Sequence, residues 1–246
     1  MADFTIRVAG HRARILSLYE STRDYCRNYL AKEEPEDTIT VSREELAQEQ
    51  GFLEQEAREE GLRLRKFTEP FLERAVIQKK LAQQLLRHGI LMVHGSTVAV
   101  DGEGFLFMAA KCGTGKSTHT RLWRQVFGQR AVMVNDDKPF LEITGEGALA
   151  HGSPWSGKHG LDTNISVPLK GICVLRRGEE NRIRRIASEE ILPMLRHQGH
   201  CPEDAQLQEI YCRQTAALVQ TVPVWEMECT KDPEAALMAH AAMTKP

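Results

Sequence analysis

Residues 105–123, FLFMAAKCGTGKSTHTRLW, constrain the fold of this 246-residue chain more than any other stretch. An apolar run of strand character, FLFMA at 105–109, enters a short loop with glycines at 113 and 115 and leaves it as a helix-compatible segment. A buried strand followed directly by a helix belongs in a layered α/β core. The flanking sequence agrees. ILMVHGSTVAV at 90–100 is strand-like and is joined to 105–109 by the turn signal Asp101-Gly102-Glu103-Gly104. AVMV at 131–134 reads as a short buried strand, and 141–150 as strand–turn–strand about Thr144-Gly145-Glu146-Gly147. Residues 165–177 are strand-rich, with Pro168 demoting part of them to an edge or bend. Helices are expected over 188–197 and 203–219, a last strand over 221–228, and a terminal helix from Pro233 to about 242.

Before residue 90 the pattern is α+β. FTIRVA at 4–9 alternates as a strand does, 20–31 suits a short helix, 31–38 is a charged connection and ITV at 39–41 a further strand. Ser42 and Glu45 form a capping box that opens a Glu- and Gln-rich, solvated helix to about 60. Ile77, Leu81 and Leu85 give the next helix its apolar stripe, from near Pro70 to Gly89. With no repeat and no low-complexity linker, the expected organisation is an N-terminal α+β portion at 1–89 and an α/β core at 90–246.

The loop at 110–117, Ala110-Lys111-Cys112-Gly113-Thr114-Gly115-Lys116-Ser117, is a Walker A pattern with alanine in place of its first glycine. Gly113 and Gly115 let successive backbone amides, Thr114 included, curl around an anion, and the helix starting near Lys116 adds the positive end of its dipole. Lys116 supplies a mobile charge for the outer phosphates. Ser117 offers a hydroxyl to magnesium, a cation that prefers hard oxygen donors, and Thr118 a contact to the inner phosphates. Cys112 reads as a small space-filler in the loop. About twenty residues on, Asn135-Asp136-Asp137 places two acids at the end of a short apolar strand, where one carboxylate can hold magnesium and its neighbour can take a hydroxyl proton if the environment raises its pKa. A third segment, His151-Gly152-Ser153-Pro154-Trp155-Ser156-Gly157-Lys158 with Asn164 beyond it, is a constrained loop suited to holding a ligand. Lys158 is a candidate for neutralising a transferring phosphoryl group. Trp155 either stacks on a ligand or anchors the loop. His94, in Val93-His94-Gly95-Ser96, is a further candidate, because histidine titrates near neutral pH. The basic stretch Asn181, Arg182, Arg184 and Arg185 reads as a solvated face.

Composition narrows the classes. Lys and Arg number 32 against 34 Asp and Glu, so no excess of positive charge points to nucleic acid or a membrane surface. No apolar run approaches the roughly 18 residues of a transmembrane helix, and MADFTIRVAGHRARIL has no secretory h-region. The six cysteines are dispersed without a C-x-x-C pair, so the expectation is a reducing, cytoplasmic setting. His197, His200, Cys201 and Cys212 do not have the spacing of a zinc site and read as a polar loop with incidental thiols.

The strand with His94-Gly95, the AAKCGTGKST loop, the NDDKP acid pair and the GSPWSGK loop with Asn164 together resemble the HPr kinase/phosphorylase and phosphoenolpyruvate carboxykinase superfamily, in particular its short HPr-kinase-like bacterial members. The resemblance spans about 90–185. It implies a P-loop in a mixed β-sheet core and ATP with a divalent metal, Mg2+. It implies Lys116 and Ser117 at the phosphate and metal positions, Asp136 as metal-associated acid, Asp137 as the acid that deprotonates the acceptor, and His94 near the transferred phosphate. The chain has no room for the oxaloacetate-binding domain of a carboxykinase, and GSPWSGK replaces the arginine-glycine signature with which HPr kinases engage their protein substrate. The expectation is therefore an ATP-dependent kinase acting on a serine of a protein or peptide, or on a small hydroxylated metabolite. The alternative is a nucleotide-binding regulatory module that transfers nothing. Partners expected are a nucleotide, that acceptor and further copies of the chain as a homo-oligomer, with neither nucleic acid nor membrane.

Overall fold

The structure, a computed structural model, describes residues 1–59, 61, 63–109, 114–198 and 201–245, with the backbone alone at 197 and 198. The chain divides into two compact units, Met1–Gln84 and Leu85–Pro246. Among the described residues no helix is long and apolar enough to cross a membrane.

Among the described residues the first unit is built on a four-stranded sheet of order β3-β1-β2-β4, from β1 (Ala2–Val8), β2 (His11–Ser17), β3 (Leu30–Ala31) and β4 (Asp37–Thr40). Phe4, Ile6, Val8, Ala13, Ile15 and Ile39 alternate into its core. The helix expected over 20–31 is shorter: α1 (Glu20–Tyr25) gives way to a 3-10 turn that buries Tyr29, and the chain then joins the sheet as β3. The helix α2 (Arg43–Glu59) opens on the capping box. The Ser42 amide donates to Glu45 Oε2 at 2.9 Å, and the Glu45 amide to Ser42 Oγ at 3.3 Å. In α3 (Glu69–Arg87) the fully buried Glu73 accepts from the Leu18 amide and the Thr22 hydroxyl, which ties that helix to the segment after β2.

In the second unit, among the described residues, nine strands form one mixed sheet. They are β5 (Ile90–Met92), β6 (Ser96–Val100), β7 (Glu103–Met108), β8 (Ala131–Asn135), β9 (Phe140–Thr144), β10 (Gly147–His151), β11 (Ser166–Arg177), β12 (Arg182–Arg185) and β13 (Val224–Cys229). The order is β5-β9-β10-β11-β7-β6-β8, with β13 beside the C-terminal half of β11 and β12 beyond β13. The β11 pairings with β7 and β13 are parallel and the others antiparallel.

The central strands are apolar on both faces because helices cover both. Leu106 and Met108 of β7 and Ile172 and Val174 of β11 pack with Ile191 and Leu195 of α5 (Ser188–Gln198) and Leu207, Tyr211 and Leu218 of α6 (Ala205–Thr221). Phe105, Phe107, Cys173 and Leu175 point the other way. They meet Leu122 and Trp123 of α4 (Lys116–Phe127) and the small Ala235, Ala236 and Ala239 of α7 (Glu234–Met243). The Trp123 ring stands 4.8 Å from Phe105 and 5.2 Å from Phe107 between centroids.

In the second unit three expectations change. The run 90–100 is two strands, because the chain leaves β5 at Val93 and re-enters the sheet at Ser96. The strand at 131–134 is not wholly buried, since Val132 is 39% exposed. Pro168 lies at no edge. It sits opposite Leu149 in β10, and just beyond it the register against β7 shifts between Leu169 and Gly171.

Candidate active site

The site lies where β5, β8 and the start of α4 end on one another. β6 and β7 are joined by Asp101 (φ 52°) and Gly102 (φ 84°), a two-residue hairpin turn that fixes their register. β7 then delivers the chain to the loop before α4. Of that loop, 110–113 lie outside the described residues, Gly113 among them. Thr114 and Gly115 are half-buried ahead of α4, and Lys116, Ser117 and Thr118 form its first turn, also half-buried. Gly115 has a φ of 124°, a conformation that side chains disfavour.

After β5 the segment 93–95 runs beside 137–139. The Val93 amide donates to Pro139 O at 3.2 Å and the Gly95 amide to Asp137 O at 3.0 Å. Gly95 is required there, because a Cβ would stand 2.5 Å from Leu106 Cδ1 and 3.1 Å from the Phe107 carbonyl oxygen. This pairing brings His94 against Asp137, with Nε2 3.2 Å from Asp137 Oδ1, and Lys116 Nζ lies 3.3 Å from the same Nε2. One nitrogen thus faces an acceptor and a donor. Carrying hydrogen it donates to Asp137; bare, it accepts from Lys116; it does one at a time.

The charges settle the ionisation. The hydrogen bond to Asp137 favours a charged His94, but burial and the ammonium groups of Lys138 and Lys116 outweigh it and hold the imidazole below its ordinary pKa. Burial favours a neutral Asp137, but the bond from His94 and the charges of Lys138 and Lys116 outweigh it, so the carboxyl lies below its ordinary range. The environment therefore does not raise the Asp137 pKa: the His94 bond first, and then the ammonium charges, prevail over burial.

Asp136 is buried one residue earlier. Its Oδ1 accepts from Ser96 Oγ at 2.7 Å; Ser96 Oγ, its hydrogen so used, accepts from Thr120 Oγ1 at 3.0 Å, and Thr120 Oγ1 lies 3.3 Å from the Lys116 carbonyl oxygen. A chain of buried hydroxyls therefore links the first turn of α4 to this acid. Ser117 and Asp136 both offer hard oxygen atoms, the donor chemistry that suits magnesium.

The third segment folds back along β8. Asn135 bridges to Asp162, the Thr163 amide donates to Val134 O at 3.2 Å, and Ser156 Oγ donates to Asp162 Oδ1 at 2.5 Å. Trp155 is buried, 6% exposed, so it anchors this loop and presents no stacking face. Lys158 is exposed and makes no hydrogen bond or ion pair among the described residues, and Asn164 is exposed. The site thus brings together Lys116, His94, Asp136 and Asp137, and leaves Lys158 outside their contacts. Ser96, Asn135, Ser153, Gly157 and Lys138, not singled out from the sequence, prove to be part of it. Each stands within a segment that the motifs had marked. Of the cysteine–histidine group, Cys201 is exposed, and the His197 side chain and His200 lie outside the described residues. Of the stretch at 181–185, Arg182–Arg185 form the strand β12, and Arg184 there and Arg176 of β11 both pair with Glu226.

No protein-family model and no curated protein matches the chain. Among solved structures it is similar to the Hpr(Ser) kinase/phosphatase from Coxiella burnetii. That likeness has 10% sequence identity, covers 61% of this chain and 93% of that one, and has a TM-score of 0.36. Activity has to be argued from the site.

Proposed function

We propose that the chain is an ATP- and magnesium-dependent phosphotransferase that moves the γ-phosphate to a hydroxyl, a serine of a protein or peptide or a small hydroxylated metabolite. The observation that carries the reading is the meeting of Lys116, His94 and Asp137, from three separate segments, at the N-terminal end of α4 and beside the buried Asp136. A Walker-type loop, a lysine, an acid for metal and an acid for a proton are the parts that phosphoryl transfer needs.

In this reading the amides at 113–115 and Lys116 hold the phosphates, with Thr118 on the inner ones. Ser117 and Asp136 would hold Mg2+, which supplies charge neutralisation on the phosphates when bound. Asp137 receives the acceptor's proton. Its lowered pKa keeps it ionised at neutral pH and makes it a weak base, so its main contribution is to orient the hydroxyl, with the proton moving as the phosphoryl group arrives. His94 stands uncharged at neutral pH, able to donate to Asp137 once Lys116 turns to the phosphates. Lys158, on the exposed loop, is the candidate second cation for the transferring group.

The test is phosphate transfer from labelled ATP with magnesium, offered peptide and polyol acceptors. Lys116→Ala abolishes it. Asp137→Asn keeps nucleotide binding and slows transfer by about 10²–10⁴-fold, the range for loss of a general base. Robust transfer by Asp137→Asn removes that residue from its role, and tight binding with no turnover under any condition leaves the non-catalytic module.

A further inference from the structure

Asn135, the residue before the acid pair, is fully buried and its amide is fully used. Oδ1 accepts from the backbone amides of Asp137 at 2.8 Å and Lys138 at 2.6 Å. Nδ2 donates to the Ser153 carbonyl at 2.8 Å and to Ser153 Oγ at 3.0 Å. Ser153, also fully buried, completes the ring by donating from Oγ to the Lys138 carbonyl at 2.7 Å. The two Oδ1 bonds by themselves make an ordinary Asx turn, which an aspartate supplies equally well. The two Nδ2 bonds need an amide, and they bind that turn to the loop after β10. Buried and satisfied, such a ring is rigid.

The same loop touches the acid pair a second time. Gly157, at φ 67°, brings its backbone so close that a Cβ would stand 3.1 Å from Asp137 Cβ and 3.5 Å from its Cγ. Asp137 is therefore bounded by its own turn, by Gly157 and by His94.

We propose that Asn135 is a positioning residue: through Ser153 it clamps the 152–157 loop onto the acid-pair turn, and so sets where the Asp137 carboxylate stands against His94. Its consequence for rate rests on the phosphotransferase reading; its geometry does not.

The experiment follows the His94 imidazole by NMR across pH in the full chain, the signal assigned by its loss in His94→Gln. The charged groups facing His94 are Asp137, Lys116 and Lys138. Asp137→Ala calibrates the readout: removing the carboxylate lowers the His94 midpoint. Asn135→Ala is expected to lower it by more than half of that shift, with Ser153→Ala and Gly157→Ala moving it in the same direction. These two replace Asn135→Ala if that variant fails to fold. A folded clamp variant with the wild-type midpoint, while Asp137→Ala shifts, overturns the proposal. With ATP, Asn135→Ala is expected to lower kcat by about 10–10²-fold, as small misplacements of catalytic groups do, with KM for nucleotide unchanged. A raised KM at constant kcat contradicts a positioning role. If wild type turns over no ATP, the phosphotransferase reading fails and the His94 titration still decides the clamp.

Discussion

His119 offers a prediction in which burial becomes a measurable pH dependence. It lies on α4, 2% exposed, edge-on to Phe107 with centroids 4.6 Å apart, and its Nε2 accepts the indole N–H of Trp123 at 3.0 Å. That bond needs a lone pair on Nε2, so the ring proton sits on Nδ1, which has no hydrogen-bond partner among the described residues. Burial pushes the imidazole down from its ordinary 6.5 to about 4. Between those values the unfolded chain binds a proton that the folded chain refuses. Stability from this residue is therefore complete above pH 6.5 and falls as the pH drops toward 4. Integrated over the two pKa values, the loss is about 2 kcal/mol between pH 7 and pH 5.

His119→Gln keeps an acceptor for Trp123 and cannot ionise, while every other titrating group is common to both proteins. Urea unfolding followed by tryptophan fluorescence reads the second unit, because Trp123, Trp155 and Trp225 all lie in it. The expected result is that the stability difference between wild type and His119→Gln moves by about 2 kcal/mol in favour of the variant from pH 7 to pH 5. A difference that stays constant with pH would refute the reasoning.

Two further perturbations follow from single contacts. Gly95→Ala places a methyl group 2.5 Å from Leu106 Cδ1 and should cost about 1–3 kcal/mol, the usual penalty of overpacking, read as a lower thermal midpoint of the second unit. Ser42→Ala removes the capping bond to the Glu45 amide and should cost the first unit about 1 kcal/mol, visible as faster amide exchange in the first turn of α2.

What the sequence disclosed depended on how much of the physics was local. β7 was plain because FLFM is apolar at every position, as a strand covered on both faces must be, and its hairpin with β6 because Asp-Gly favours positive φ. The capping box needs only Ser42 and Glu45. β2 was missed because its inward positions are His11, Ala13, Ile15 and Ser17, of which only two are aliphatic. β12, RIRR, was missed because it is held by pairing with β13 and by Glu226, a partner 42 residues from Arg184. At the site, residue types were legible and relations were not. Nothing local states that His94 Nε2 would face both Lys116 and Asp137. The direction of the Asp137 shift is not legible locally, because Asp136 and Lys138 flank it with opposite charges and the largest lowering cause, the bond from His94, comes from a distant segment. Trp155 and Ser153 acquire their roles only when the chain returns along β8.

The central claim is that phosphates gather at the start of α4 under the charge of Lys116. Calorimetry of the whole chain with ATP and magnesium tests it most directly. The account predicts saturable binding at one site, weaker without magnesium and lost in Lys116→Ala. Absence of saturation in the wild type, or wild-type affinity in Lys116→Ala, would contradict it.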